Sequence, residues 1–229
     1  MFVNQFTKMA ARGRAALRHM RKIADSTVRR LSLYLRFLEE FEGRGVATVS
    51  SDALAQRGGT TSAQVRKDLS FFGSFGKRGL GYEVHELAAT LREILGLGKR
   101  YRVALVGAGK IGSALAQYRG FKQRGFDIVS IFDADPTKIG KSWNGLPVQD
   151  VKALPTSLQK DPVDIAVLVT PAESAQDVTE VMVKAGIKAI LNFAPVQLSV
   201  PEDVSVKNVN LALELETLSY ALAHRNGVA

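Results

Sequence analysis

The chain has 229 residues, with 31 Lys plus Arg against 22 Asp plus Glu, a formal net charge of +9 and a pI near 9.9. With 46% hydrophobic and 23% charged residues, 20 Gly and 7 Pro, it has the composition of a folded protein rather than a disordered or collagen-like one, and the length suits one large or two modest domains. Cysteine is absent, which excludes disulfide scaffolds, thiolate metal sites, cysteine nucleophiles and thiol-based redox sensing, and no apolar run reaches the ~18 residues of a membrane span, so the expected compartment is cytoplasmic.

The positive charge is concentrated at the start. Residues 1–85 hold 15 Lys plus Arg against 7 Asp plus Glu, whereas residues 86–229 hold 16 against 15. A basic module joined to a neutral one points to a polyanionic partner, nucleic acid ahead of an anionic membrane surface. Residues 1–22 are a basic extension in which Lys8, Arg12, Arg14, Arg18, Arg21 and Lys22 occur with no acid before Asp25. No apolar segment follows them, which argues against a secretory signal. Two readings stay open: a basic arm on nucleic-acid phosphates, or an untethered tail with Met20 as an alternative start.

From Thr27 the pattern is helical, with Val28, Leu31, Tyr34, Leu35, Leu38 and Phe41 on one face and Gly43 and Gly45 as the stop. Ser50 and Ser51 are candidate N-caps for a short helix over Asp52 to Gln56, ended by Gly58 and Gly59. A third helix opens at Thr61 or Ser62, with Val65, Leu69 and Phe72 buried and Gln64, Arg66, Lys67 and Ser70 outward. This is the layout of a helix-turn-helix. The run GSFGKRGLGYEV then places Lys77, Arg78 and Gly79 at the tip of a glycine-rich hairpin between Phe75 and Tyr82, as in a winged-helix wing. Glycine there permits positive φ and close approach to DNA, and a wing-tip Arg suits the minor groove. The expected DNA-binding set is Ser51, Gln64, Arg66, Lys67, Ser70, Lys77, Arg78 and Gly79, with Gln64 as a candidate adenine reader. Residues 23–85 are the expected winged-helix domain, and residues 86–100 a linker helix and loop.

The run RVALVGAGKIGSALA follows, a buried strand ending in the loop Gly107, Ala108, Gly109, Lys110, Ile111 and Gly112 and opening a helix. That context is what turns GxGxxG into a dinucleotide fingerprint: a tight turn, close pyrophosphate approach to a helix N-terminus, and tight helix packing. A second strand ends at Asp133, at the spacing and position of a carboxylate that holds adenosine ribose hydroxyls. With Asp135 close by and no Arg beside them, a 2′-phosphate is repelled and NAD(H) is favoured over NADP(H). Strands at 164–170 and 188–194 flank a helix from about Ser174 to Lys184, so a Rossmann-type doubly wound parallel sheet is expected over 101–211. Thr170, Pro171, Asn192, Phe193, Ala194 and Pro195 then lie at carboxyl ends of strands and border the nicotinamide half.

Tyr118 and Lys122 satisfy a YxxxK spacing, but they stand at the end of the first Rossmann helix, far upstream of where that pair acts in short-chain dehydrogenases. His19, His85 and His224 all lie outside the Rossmann strands, and no substrate domain follows residue 195. A cofactor site without catalysis reads as a sensor. The rival readings are an NAD-dependent dehydrogenase with a basic appendage and a CoA- or nucleotide-binding regulator. The last helix, LALELETLSYALAHR, which with residues 212–229 forms the expected C-terminal dimerisation segment, puts Leu211, Leu215, Leu218, Ala221 and Leu222 on one face, which needs either its own sheet or a second subunit.

The stretches TVRRLSLYLRFLEE, TSAQVRKDLSFFGSFGKRGLGY, VALVGAGKIGSALA and AGIKAILNFAPVQLSVPEDVSVKNVNL together resemble the Rex family of redox-sensing transcriptional repressors over about residues 22 to 226. The resemblance implies a homodimer of winged-helix and Rossmann domains with C-terminal helices swapped between subunits. It also implies binding to palindromic double-stranded operators upstream of fermentation and respiration genes, release by NADH, and NAD+ competing for the same pocket. No metal and no membrane partner are expected. Carried over, QVRKDLS is the recognition helix, Lys77 to Gly79 the wing, and Gly107, Gly109, Gly112 and Asp133 the adenosine and pyrophosphate site. Tyr118 is similar to the family tyrosine near the nicotinamide, and Arg36 to the first-helix arginine at the domain junction. Some members carry an acid after NV in the last strand; here Asn210 stands there, able to hydrogen-bond without charge.

Overall fold

A computed structural model describes residues 23–76 and 79–224. They divide into two compact units, one ending at Gly98 and the other beginning at Lys99.

The first unit holds α1 (Asp25–Gly43), β1 (Thr48–Val49), α2 (Ser51–Gly58), α3 (Ser62–Ser70), β2 (Tyr82–Glu83) and α4 (Val84–Ile94). Both short helices start where hydroxyls cap them: Ala53 N donates to Ser50 Oγ and Gln64 N to Thr61 Oγ1, each at 3.1 Å. Such a cap contributes about 1 kcal/mol. Gly59, at φ +58°, ends α2 in the left-handed region where a side chain is strained. Leu31, Tyr34, Leu35 and Leu38 of α1 pack with Leu54, Val65, Leu69, Leu87, Ala88 and Leu91 in one core. Val28, expected on that buried face, is 40% exposed because it lies in the first turn of α1, and Phe41 is only partly buried.

Two expectations for this unit change. The helix read as a linker is a core element, since Leu87, Ala88 and Leu91 are buried against α1. The wing's strand β2 pairs antiparallel with β1, Val49 opposite Tyr82, so the sheet partner comes from before α2. A Cβ on Gly76 would meet Gly81 O at 2.4 Å, and one on Gly81 would meet Val49 O at 2.4 Å. Gly76 is thus required by the loop's own backbone and Gly81 by the backbone of β1, whereas Gly79, at φ +85°, faces open space. Lys77 and Arg78 lie outside the described residues.

The second unit is a seven-stranded sheet of β3 (Tyr101–Val106), β4 (Phe126–Asp133), β5 (Ser142–Trp143), β6 (Leu146–Asp150), β7 (Ile165–Leu168), β8 (Ala189–Asn192) and β9 (Ser205–Asn208), in the order β5-β6-β4-β3-β7-β8-β9. All pairings are parallel except β5 with β6. Counting only the parallel strands gives the doubly wound order 3-2-1-4-5-6, with the direction of winding reversing between β3 and β7. Helices α5 (Lys110–Gln117), α6 (Arg119–Gln123), α7 (Leu154–Lys160) and α8 (Ala172–Lys184) connect the strands, and α9 (Leu211–Ala223) follows β9. The edge hairpin β5–β6 turns at Asn144 (φ 50°) and Gly145 (φ 81°), the Asn-Gly pair that suits a tight turn of this hand. The sheet strands are apolar on both faces, with Ala104, Val106, Phe132 and Leu168 in one cluster and Val103, Leu105, Ile131 and Val167 in the other.

Candidate functional site

In the first unit, α3 presents Arg66, Lys67 and Ser70 to solvent. Arg66 Nη1 donates to Ser51 Oγ at 2.8 Å, so the Ser51 hydroxyl, on a buried residue, orients the guanidinium. Ser70 Oγ donates back to Lys67 O at 2.8 Å. Gln64 departs from the outward reader expected of it, because its Nε2 donates to Asp68 Oδ1 at 2.8 Å and the residue is only half-exposed.

Asp68 was not anticipated. It is fully buried on the inner side of α3, and it accepts from Arg30 Nε (2.7 Å), Arg30 Nη2 (2.7 Å), Tyr34 Oη (3.0 Å) and Gln64 Nε2. Burial alone pushes this carboxyl up, but the hydrogen bonds from Arg30, Gln64 and Tyr34 outweigh it and hold it below the ordinary carboxylate value. The Tyr34 phenol is pushed up, first by burial and then by Asp68. The sequence signal was present: an acid at 68 falls one position before Leu69 and three after Val65, on the edge of the buried stripe.

In the second unit the glycine loop sits where the winding reverses. Gly107, at φ +109°, donates its N–H to Phe132 O at 2.8 Å, and a Cβ on it would lie 2.4 Å from Val169 O. A Cβ on Gly112 would lie 2.0 Å from Gly107 O. Both glycines are thus demanded by the protein's own backbone. Gly109, the N-cap of α5, differs: its φ is −81°, and a Cβ there would meet no atom within 4 Å. The fold does not require glycine at that point, and the open space leaves the α5 N-terminus accessible. Lys110 and Ile111 follow on the exposed rim. Beside Gly107, Thr170 Oγ1 is buried with no hydrogen-bond partner among the described residues. A free helix N-terminus, open space above Gly109 and an orphaned hydroxyl fit a dinucleotide.

Asp133 is buried at the end of β4, and its Oδ2 accepts from Ala108 N at 2.5 Å, while Oδ1 accepts from Asp135 N at 2.8 Å. The carboxylate therefore fastens the glycine loop to β4. Lys138 Nζ lies 3.3 Å from Asp133 Oδ2 and 3.3 Å from Asp135 Oδ2, so the ribose end is not the uncompensated acidic edge expected from the sequence.

Asn192, expected at the nicotinamide border, is fully buried, with Nδ2 donating to Ala194 O (3.2 Å), Val196 O (2.9 Å) and Asn208 Oδ1 (2.9 Å), and Oδ1 accepting from Ala194 N (2.9 Å). Its side-chain amide is engaged in shaping the loop after β8. That loop carries half-buried Phe193, buried Ala194 and exposed Pro195, and Pro171, after β7, is the N-cap residue of α8. Tyr118 separates α5 from α6, is 60% exposed, and meets the Phe121 ring edge-on at 5.1 Å. Asn210 is the N-cap of α9, its Oδ1 accepting from Ala212 N (3.0 Å) and Leu213 N (3.2 Å). Arg36 is exposed on α1 in the first unit. Among the described residues no group of His, Asp and Glu could hold a metal ion, and no helix is long and apolar enough to cross a membrane.

Comparison with known proteins agrees with this division. A family model described as "CoA binding domain" matches residues 98–196, and one described as "Putative DNA-binding protein N-terminus" matches residues 22–70. The chain is 47% identical over 202 residues to the redox-sensing transcriptional repressor Rex of Desulforamulus reducens, covering 88% of this chain and 96% of that one. It is 50% identical over 199 residues to the protein of the same name from Carboxydothermus hydrogenoformans, covering 87% and 96%. A solved structure of RSP with β-NAD+ and operator DNA matches with a TM-score of 0.85 at 40% identity, over 90% of this chain and 95% of that one. RSP with β-NADH matches with a TM-score of 0.82 at 38% identity, over 90% and 97%.

Proposed function

Because this chain belongs to the Rex family of redox-sensing transcriptional repressors, we propose that it is a homodimeric, cytoplasmic repressor that binds palindromic operators and leaves them when NADH binds. The observation that carries the reading is the conjunction of Gly109, open to a ligand at the α5 N-terminus, with Arg66 and Lys67 on the outward face of α3. Relatives of the same architecture have been solved with β-NAD+ and operator DNA and with β-NADH.

Gly107 to Gly112 and the first turn of α5 would hold the pyrophosphate, and Asp133 the adenosine side. Thr170, Pro171, Phe193, Ala194, Pro195 and Tyr118 would border the nicotinamide. The two ligands differ in one charge, since NAD+ carries a cationic ring and NADH a neutral one. An apolar wall of Phe193, Ala194 and Pro195 disfavours the cation, because burying an unpaired charge is costly. The ligand then shifts the repressor only as far as it prefers one state over the other. Arg36, Tyr118 and Asn210 are the residues we assign to that coupling.

No catalysis is assigned. His85 Nδ1 is hydrogen-bonded to Glu42 at 2.6 Å on the surface of the first unit and His224 Nδ1 to Tyr220 O at 2.8 Å on α9, neither on the glycine loop or the strand ends around it; His19 lies outside the described residues. The basic residues 1–22 also lie outside them. The second subunit is inferred from α9, where Leu211, Leu213, Leu215, Leu218, Tyr220 and Leu222 are each at least 55% exposed. An apolar helix bare on every face needs a partner surface, which an exchanged helix of a second copy supplies.

The test is a gel shift on a palindrome upstream of a fermentation or respiration gene, with and without NADH. Retarded DNA that NADH releases supports the proposal. DNA binding indifferent to NADH, or NADH oxidation with a candidate substrate followed at 340 nm, overturns it.

A further inference from the structure

The ribose end of the dinucleotide site holds a cation that the reading above leaves without a role. Lys138 stands in the loop after β4, and its ammonium is 3.3 Å from one oxygen each of Asp133 and Asp135, with the side chain 31% exposed. Its place is fixed locally: Lys138 N donates to Asp135 O at 3.0 Å, and Thr137 N and Oγ1 donate to Asp135 Oδ1 at 2.9 and 2.7 Å. Asp133 has little acceptor capacity left. Its Oδ2 is taken by Ala108 N and Lys138, and its Oδ1 accepts from Asp135 N. A carboxylate offers about four acceptor positions, so about one remains, and Asp133 alone cannot clasp both hydroxyls of a ribose. The ammonium has three donors, two of them directed at carboxylates, and the third is free on its exposed side.

The charge at this edge follows from the same three residues. Two carboxylates and one ammonium leave a formal charge of −1, where the acids alone would give −2. Repulsion of a 2′-phosphate scales with that charge. We propose that Lys138 is a specificity-determining residue of the dinucleotide site, setting how strongly the site rejects a phosphate on the adenosine 2′ oxygen. The proposal rests on the dinucleotide reading of the glycine loop, and it makes rejection of NADPH milder in this protein than Asp133 and Asp135 alone would impose.

The experiment is direct titration of the full-length protein with NADH and with NADPH, by calorimetry or nicotinamide fluorescence, for wild type, Lys138→Met and Lys138→Arg. Removing the cation should raise the ratio of the NADPH Kd to the NADH Kd by at least ~fivefold, the order expected when a unit charge a few ångströms from a phosphate is lost in partly screened surroundings. Lys138→Arg keeps the charge and should hold the ratio within about twofold of wild type. Lys138→Gln repeats the test if the Met variant aggregates. NADH binding retained with an unchanged or lower ratio in Lys138→Met and Lys138→Gln overturns the proposal for Lys138 alone. Absence of NADH binding by wild type overturns the dinucleotide reading, and this proposal falls with it.

Discussion

Arg30 and Asp68 join α1 to α3 through a two-pronged pair, with Nε and Nη2 of the arginine each 2.7 Å from a different oxygen of a fully buried carboxylate. Because Asp68 lies in the helix that carries Arg66 and Lys67, the pair fixes the roll of that outward face against the rest of its unit.

Replacing Arg30 with Met leaves that carboxylate buried without a cation. Breaking a buried pair costs about 3 to 5 kcal/mol, and Arg30 is partly exposed, so a loss of about 3 kcal/mol is expected from urea denaturation. The same pair gives an acid sensitivity. Asp68 is held below its ordinary value when folded, so its contribution is complete above the unfolded carboxylate pKa of about 4 and is lost as pH falls through the lower folded value. Wild type should therefore lose stability in that window, and Asp68→Asn should lose less over the same range. Equal acid slopes would show that other carboxylates dominate.

The glycine loop separates fold from function. Gly109→Ala adds a methyl group into open space at a φ that any residue adopts, so the urea midpoint should change by less than about 0.5 kcal/mol equivalent. The methyl group stands where the pyrophosphate would come, and NADH affinity should fall at least ~tenfold, or about 1.4 kcal/mol. Gly112→Ala must instead displace Gly107 O, and it should lower stability by about 1 to 3 kcal/mol, the usual cost of overpacking. If Gly109→Ala binds NADH normally, the ligand does not approach α5.

The contrast between these glycines explains what the sequence made legible. The strand, the GxGxxG spacing and the acid at 133 follow from local pattern, which is why the parallel sheet and its glycine loop are legible in the sequence. Local pattern does not report how much hydrogen-bonding capacity a residue has left. Asn192 sits at a strand end like a ligand-binding residue, yet its amide closes its own loop; Gln64 sits on the outward half of α3, yet reaches inward to Asp68. Both partners lie within four residues in the chain, but side-chain direction and burial, which spacing alone does not report, decide whether the bond forms. Lys138 follows Asp133 by five positions, and only the turn at Asp135 brings its ammonium back to that carboxylate. The β5–β6 hairpin carries its own signal in the sequence, the Asn-Gly pair at 144 and 145.

Arg66→Ala should weaken operator binding by at least ~1 kcal/mol and leave NADH binding intact, since the guanidinium anchored on Ser51 reaches outward from α3. Lys67→Ala, if Lys67 meets a phosphate, should weaken all DNA sequences alike and reduce the slope of log K against log salt by about one. Unchanged DNA affinity in both variants would remove α3 from the interface.

Leu215→Glu together with Leu218→Glu should convert a dimer to a monomer in light scattering while the Rossmann unit keeps its far-ultraviolet spectrum, because neither residue is buried within the chain. Half-site recognition by a monomer should then cost most of the operator affinity. A variant that stays dimeric would place the partner surface elsewhere.

The coupling of redox state to DNA is the most demanding inference, and Asn210 gives it a handle. Its side chain caps α9, so Asn210→Ala removes two hydrogen bonds worth about 1 kcal/mol to that helix and also removes the polar group we assign to the switch. Asn210→Asp retains the cap and supplies the charge that some family members carry there, which separates the two roles. DNA affinity with and without NADH should be measured for wild type, Arg36→Ala, Tyr118→Phe, Asn210→Ala and Asn210→Asp. Coupling energies are typically about 1 to 3 kcal/mol, and linkage requires DNA to weaken NADH by the same factor that NADH weakens DNA. If the three residues form the switch, the Arg36, Tyr118 and Asn210→Ala variants should change that factor more than they change either affinity alone, and Asn210→Asp should preserve or enlarge it. A factor unaltered in every variant would mean that Tyr118 only packs on Phe121, Arg36 is a solvated charge, and the signal passes through the subunit interface at α9.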